Sequence, residues 1–294
     1  MKKIFFFMLA VIISLPAGMM VSCGSNDNDD NNEGTVGELP YAAQAAKYNI
    51  SSSSSEWKSI ELTEGGRFIA IKKSYTSGAK TATRANYSDN GIVFGTFTFD
   101  GTTYTLNGFG TMRVTAGDNG SFQLSLTING TSQTVNATKE ETIPSSSLTD
   151  FICRTWTITQ FRLIYKQNGE TVFDGSASSG QGIVDQFYKK LGRDWEFVGD
   201  WDPIEDLCYE QPRFITFSHS GSYLVTYSNG ETWANSWRWL DESKGTAQYD
   251  DSGDGDYEGT SIVFVRDNNH LLLTDSYNSG GEEVSIIYTL AAAK

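Results

Sequence analysis

A chain of 294 residues is long enough for two domains with cores of their own. Its 36 acidic against 22 basic residues leave a formal charge of −14, which opposes nucleic acid and anionic lipid surfaces as partners. Three cysteines over such a length are too few for a disulfide framework.

The chain begins with Lys2-Lys3, an apolar run from Ile4 to Ile13 and a stretch of small residues before Cys23. This pattern predicts a secretory signal segment over residues 1–22, too short to span a membrane. Met20-Val21-Ser22-Cys23 resembles the lipobox of bacterial lipoproteins. The resemblance implies that Cys23 becomes the diacylated first residue, so that acyl chains rather than charge attach the protein to a membrane. Cleavage removes Lys2 and Lys3 and no acid, leaving the mature chain more acidic still. The run Gly24-Ser25-Asn26-Asp27-Asn28-Asp29-Asp30-Asn31-Asn32-Glu33 holds no hydrophobe and reads as a solvated tether. It resembles the Ser-plus-acidic export tag of certain Gram-negative lipoproteins, which implies the outer membrane with the protein facing the cell exterior. A plain acidic spacer holding the fold off the lipid is the alternative. Residues 23–55 are expected to form this tether and a mixed, Ala- and Ser-rich lead-in, with one short helix at Ala42–Tyr48.

Ordered structure is expected from Trp57, where apolar and polar residues begin to alternate. Ile60 and Leu62 precede a Gly65-Gly66 turn and Phe68. Phe97-Phe99, Tyr104-Leu106, Met112-Val114, Phe122-Leu124-Leu126-Ile128 and Val135-Ala137 follow, with Asp100-Gly101 and Asn129-Gly130 between runs. Asp-Gly and Asn-Gly in such places signal hairpins, because a type I′ turn needs positive φ at both central residues. The alternation predicts one dry and one wet face, hence an N-terminal antiparallel β domain over residues 56–143. Lys139–Thr149, with Pro144 and three serines, reads as the interdomain linker.

A second domain is expected over residues 150–294. Cys153–Tyr165 reads as one long strand. Ile183, Val184, Phe187, Tyr188 and Leu191 then fall on one helical face that stops at Gly192. Asp202-Pro203-Ile204-Glu205 carries the signals of a second, shorter helix start. Seven strand candidates close the chain: Phe214–Ser218, Ser222–Tyr227, Thr232–Leu240, Thr246–Tyr249, Thr260–Arg266, His270–Tyr277 and Glu283–Leu290. With the first strand they make eight, enough for a closed barrel just wide enough for side chains or one small ligand. There is also an internal echo. Ile60-Glu61-Leu62-Thr63 before Gly66-Arg67-Phe68 has the shape of Ile215-Thr216-Phe217-Ser218 before Gly221-Ser222-Tyr223.

Thr155-Trp156, Ile215-Thr216-Phe217, Gly221-Ser222-Tyr223, Trp237-Arg238-Trp239 and the closing Val284, Ile286 and Tyr288 resemble the lipocalin-like domains of bacterial surface lipoproteins. The resemblance covers Leu148 to Leu290. It implies an all-β chain whose C-terminal domain is an eight-stranded, lipocalin-like up-and-down barrel with a helical insertion between its first and second strands. That insertion is similar to the helix pair that lids the barrel of fatty-acid-binding proteins.

Trp156, Phe217, Tyr223, Tyr227, Trp237, Trp239 and Tyr288 are candidates for the barrel interior, with Phe187 and Tyr188 on the helix above. Aromatic walls with a few polar tips suit a small, partly apolar ligand, although the same rings also fill a core. Asp250-Asp251-Ser252-Gly253-Asp254-Gly255-Asp256 begins like a calcium loop, but Ser261 stands where the bidentate Glu belongs, so a flexible hairpin tip is the simpler reading. His219 and His270 sit beside turns, where a histidine is most often solvated. Trp195 and Trp201 either stack on a glycan or pin the helical insertion to the rim. Cys153 and Cys208 permit a disulfide or stay as buried thiols. No phosphate loop, nucleophile elbow or metal-ligand spacing is recognisable, so neither enzyme activity nor a cofactor is expected. The expected role is non-catalytic binding of a small ligand, and the alternative is an adhesion or accessory module recognising glycan or protein through exposed loops.

Overall fold

The computed structural model describes residues 39–74, 91–192, 204, 207, 211–250, 257, 262–267 and 270–293. The signal segment, Cys23 and the acidic tether lie outside them. Within them, the period-two alternation becomes two closed antiparallel barrels.

The first consists of β1 (Ala46–Ile50), β2 (Trp57–Leu62), β3 (Arg67–Lys72), β4 (Ile92–Phe99), β5 (Tyr104–Leu106), β6 (Gly110–Ala116), β7 (Ser121–Ile128) and β8 (Thr131–Lys139). Each strand pairs with the next, and β8 returns to β1 with Tyr48 opposite Lys139 and Ile50 opposite Ala137. Apolar and aromatic side chains pack the described interior. Trp57, Leu62, Phe68, Phe109, Met112 and Leu124 are buried, with the Phe109 ring 4.9 Å from Trp57 and 5.5 Å from Phe68. The Asn129-Gly130 turn adopts positive φ at both residues, as its sequence requires.

One expectation fails here. Ala42–Tyr48 does not form a helix; Ala46–Ile50 is the strand that closes the barrel, so order begins well before Trp57. Ala46, Tyr48 and Ile50 turn inward while Lys47 and Asn49 stay half-exposed. Pairing with both β2 and β8 outweighs the weak helical preference of the Ala-rich run.

The second barrel follows α1 (Ser147–Ile152), a short helix in the stretch read as linker. Ser146 caps it by accepting the Thr149 amide, and Phe151 and Ile152 seat it in the barrel core. Next come β9 (Thr155–Gln167), β10 (Glu170–Ala177) and α2 (Gly180–Leu191). The meander is β11 (Pro212–Phe217), β12 (Ser222–Tyr227), β13 (Thr232–Asp241), β14 (Thr246–Asp250), β15 (Ile262–Asp267), β16 (His270–Ser279) and β17 (Glu282–Ala292). The eight expected strands are present, and the long first strand meets the last, from Trp156 opposite Ala292 to Gln167 opposite Glu282. The strand not anticipated is β10. It hairpins onto β9 through Asn168-Gly169, both at positive φ, and occupies Phe161–Gln167, while β11 takes only Thr155–Thr157. On α2, Ile183, Val184 and Phe187 are buried against inward side chains of β9, β10 and β17, including Leu163, Phe173 and Ile286. Of the expected second helix, Ile204 and Leu207 are described; both are helical and buried in the same cluster. Cys153 is a buried free thiol, and Cys208 lies outside the described residues.

The echo between the halves extends to hydrogen bonds. Thr63 and Ser218 each receive the amide three residues on (Gly66, Gly221), and each side-chain oxygen receives the amide four residues on (Arg67, Ser222). Gly66 and Gly221 both lie near φ +75 to +78°, and their carbonyls accept the Phe97 and Trp237 amides of the next strand. Register agrees as well: Phe68 faces Gly95 and Tyr223 faces Asn235, at matching positions. The two turns meet face to face. Ile69 and Ile92 of the first barrel pack on Leu224 and Ala234 of the second, and Ile69 and Leu224 are equivalent positions in their units.

Candidate functional site

Inside the second barrel, the pairing register decides which side chains meet. Tyr223 on β12 lies opposite Asn235 on β13, Trp237 opposite Tyr249 on β14, and Leu273 and Asp275 on β16 opposite Tyr288 and Ile286 on β17. Since a strand alternates faces, these residues, with Tyr227, Trp233 and Tyr277, all turn inward.

Two apolar clusters occupy the ends of this interior. Trp156, Phe217, Trp237 and Phe264 fill the end that α1 covers, and Trp239 packs against them half-buried. Their indoles are tied down: Trp156 donates to the Ile152 carbonyl (2.8 Å), Trp237 to the Ser218 carbonyl (3.2 Å) and Trp239 to Thr149 Oγ1 (3.0 Å). Phe161, Leu163, Tyr165 and Phe173 fill the other end under α2, where Phe187 lies edge-on to Phe173 at 5.2 Å and Tyr188 packs half-buried. Among the residues expected to line a pocket, Trp156, Phe187, Phe217 and Trp237 therefore serve as packed core.

Between the clusters lies a polar band. Tyr288 touches both, and Tyr223, Tyr227, Tyr249, Asp275 and Tyr277 remain half-buried although they point inward. Tyr223 stacks on Phe217 at 5.0 Å and stands 5.7 Å from Tyr249. The Tyr277 hydroxyl donates to Asp275 Oδ2 at 2.6 Å. Burial, and then the neighbouring Tyr249, Tyr227, Asp275 and Tyr288, push the Tyr223 phenol well above its ordinary range. Tyr277 is raised the same way, by burial first and Asp275 next. These phenols thus act as neutral donors and acceptors around one carboxylate. Trp233, 5.7 Å from the Tyr227 ring, buries its indole N–H with no acceptor among the described residues. A buried donor without a partner costs about 1–3 kcal/mol, which an oxygen of a bound molecule would recover.

Of this band, Tyr223, Tyr227 and Tyr288 are singled out by the sequence, while Trp233, Tyr249, Asp275 and Tyr277 are not. Carrying the inward parity of Trp237 across Tyr249 and along β16 finds them.

Other expected sites fall elsewhere. Most of the acidic loop at 250–258 lies outside the described residues, as do Trp195 and Trp201. Tyr257 is described, with the Arg238 guanidinium 4.1 Å above its ring. Among the described residues, no group of three or more His, Cys, Asp or Glu is placed to hold a metal ion. His219 is not a solvated turn residue, as expected for a histidine at a hairpin end, but is wedged between the barrels.

No known protein family and no curated protein matches the sequence. Among solved structures, the isotype 1 transferrin binding protein B of Neisseria meningitidis matches at 11% identity and a TM-score of 0.23. The match covers 85% of this chain and 43% of that one, so the chain spans less than half its length.

Proposed function

We propose that this chain is a lipid-anchored, surface-displayed binding protein without catalytic activity, and that its second barrel holds a small, partly apolar ligand. The observation that carries this reading is the band of inward, half-buried phenols around Asp275, between two apolar cores, whereas the first barrel has one continuous apolar cluster. Phenols offer flat apolar faces and one hydrogen-bonding tip each, and a carboxylate adds an acceptor. Trp233 supplies the complementary donor. A ligand with an apolar body and both hydrogen-bond donors and acceptors fits that lining.

The test is recovery of the full chain under native conditions, followed by extraction and mass spectrometry. One small molecule recovered repeatedly at near-stoichiometric yield is the expected result. It should fall at least about tenfold when Asp275→Asn and Tyr277→Phe are combined, a loss of one charge-assisted and one neutral contact. An empty extract together with retention on a glycan array would instead favour adhesion through the loops.

Attachment is tested separately. Cys23→Ala should abolish incorporation of labelled fatty acid into the chain, because the thiol that accepts the acyl-bearing group is gone. Fractionation with surface protease shaving of the parent chain reads both the anchor and the side it faces.

A further inference from the structure

The junction between the barrels holds an unusual arrangement of acids around one imidazole. His219, in the turn between β11 and β12, directs Nδ1 at Glu64 Oε1 (3.0 Å) and Nε2 at Asp150 Oδ1 (2.9 Å). Glu64 belongs to the equivalent turn of the first barrel, between β2 and β3, and Asp150 to α1. The His219 backbone amide also points at Glu64 Oε1, at 3.4 Å. Both ring nitrogens face carboxylate oxygens, which only accept. A neutral imidazole has one N–H, and its bare nitrogen would meet a carboxylate lone pair; the doubly protonated ring donates to both.

The surroundings hold both acids and bases. Glu61 on β2 is buried, takes the Ser222 hydroxyl at 2.5 Å across the junction, and leaves Oε1 with no partner. Glu64, 4% exposed, leaves Oε2 unpartnered too. Lys47 on β1 acts on Glu61 from the first barrel, and Arg154, just past α1, acts on the buried Cys153 thiol. Glu242 is engaged with Ser146 and Thr149 at the start of α1.

We propose that docking of the two barrels is proton-linked: a protonated His219 shared between Glu64 and Asp150, backed by a protonated Glu61, latches the equivalent turns together, and the latch loosens as pH rises. The directions agree. Hydrogen bonding to Glu64 raises His219 above its ordinary value despite partial burial, and burial raises Glu61. Each group binds its proton more tightly when docked. Its contribution is therefore complete below the undocked value and is lost as pH climbs through the docked one. For His219 that loss begins above about pH 6.5.

Amide hydrogen exchange on the full chain, corrected for intrinsic rates and run from about pH 6 to about pH 9, tests this. Peptides covering Glu61–Phe68 and Ser218–Leu224 should lose protection about tenfold or more across that range. Peptides from the barrel walls, such as Leu124–Ile128 and Leu163–Tyr165, should not follow. His219→Gln, which cannot carry the charge, should expose the junction already at low pH and flatten the profile. Glu61→Gln, permanently neutral, should hold it closed to higher pH. A flat profile in the parent chain, or the parent's profile unchanged in His219→Gln, would overturn the proposal.

Discussion

Replacing Trp156 by alanine is expected to unfold the second barrel at denaturant concentrations that leave the first intact. Trp156 is fully buried, lies 5.2 Å from the Phe151 ring and donates to the Ile152 carbonyl. It therefore fills the core and holds α1 across the end of the barrel. Truncation removes one of the largest side chains of that cluster, which costs about 3–5 kcal/mol. It also removes one of the two donors to the Ile152 carbonyl, which keeps the Arg154 amide at 2.7 Å, for up to about 1 kcal/mol more. Against a typical domain stability of about 5–15 kcal/mol that is a large share. Trp156→Phe keeps most of the volume and should cost about half as much. Urea unfolding followed by hydrogen exchange separates the barrels: amides at Leu271–Leu273 should lose protection while those at Leu124–Leu126 hold. An equal loss in both barrels would mean that they unfold as one unit.

The second large effect is expected at Gly110, at the start of β6. Its φ is +157°, and a Cβ there would lie 2.0 Å from the Thr127 carbonyl oxygen of β7. Gly110 pairs with Ile128, so the clash is with the neighbouring strand's backbone, which cannot swing away as a side chain can. Gly110→Ala must part the ladder at that point, and a loss of about 2–4 kcal/mol is expected. Gly101 provides the control. Its φ is +99°, but a Cβ there would meet nothing within 4 Å, so Gly101→Ala carries backbone strain alone, about 1–2 kcal/mol. Thermal denaturation of the two variants side by side measures the difference. Equal losses would show that the conformation, and not the collision with β7, accounts for the glycine at 110.

Much of the architecture is legible in the residues, and the exceptions have physical causes. The meander from Pro212 to Ala292 follows from alternation and turn chemistry, because each strand pairs with its neighbour in sequence. β1 is different: one of its partners is β8, far later in the chain, and a five-residue strand directly after an Ala-rich run shows no local sign of it. β10 has a sign, the Asn168-Gly169 turn, but its strand is rich in polar residues and shows no clean alternation. The tyrosine band is half visible. Tyr223 and Tyr288 follow from inward parity, whereas Asp275 has the look of an outward polar residue until β16 is placed in register with β17. The junction is invisible. Glu61 alternates with Ile60 and Leu62 as any solvated strand residue does, and only the second barrel's arrival covers it.

The doubly claimed strand β9 bears on how the protein is made. Its wall against β17 joins Trp156 to Ala292, so the second cylinder stays open until Ala292 has been synthesised. The first can seal once Lys139 is available to Tyr48. Vectorial production therefore yields a finished leading half followed by a trailing one with bare strand edges, a state prone to intermolecular pairing. Until β17 emerges the edge of β9 stays bare, and removing β17 should leave that edge open to pairing between molecules, read as loss of monomer in size-exclusion chromatography.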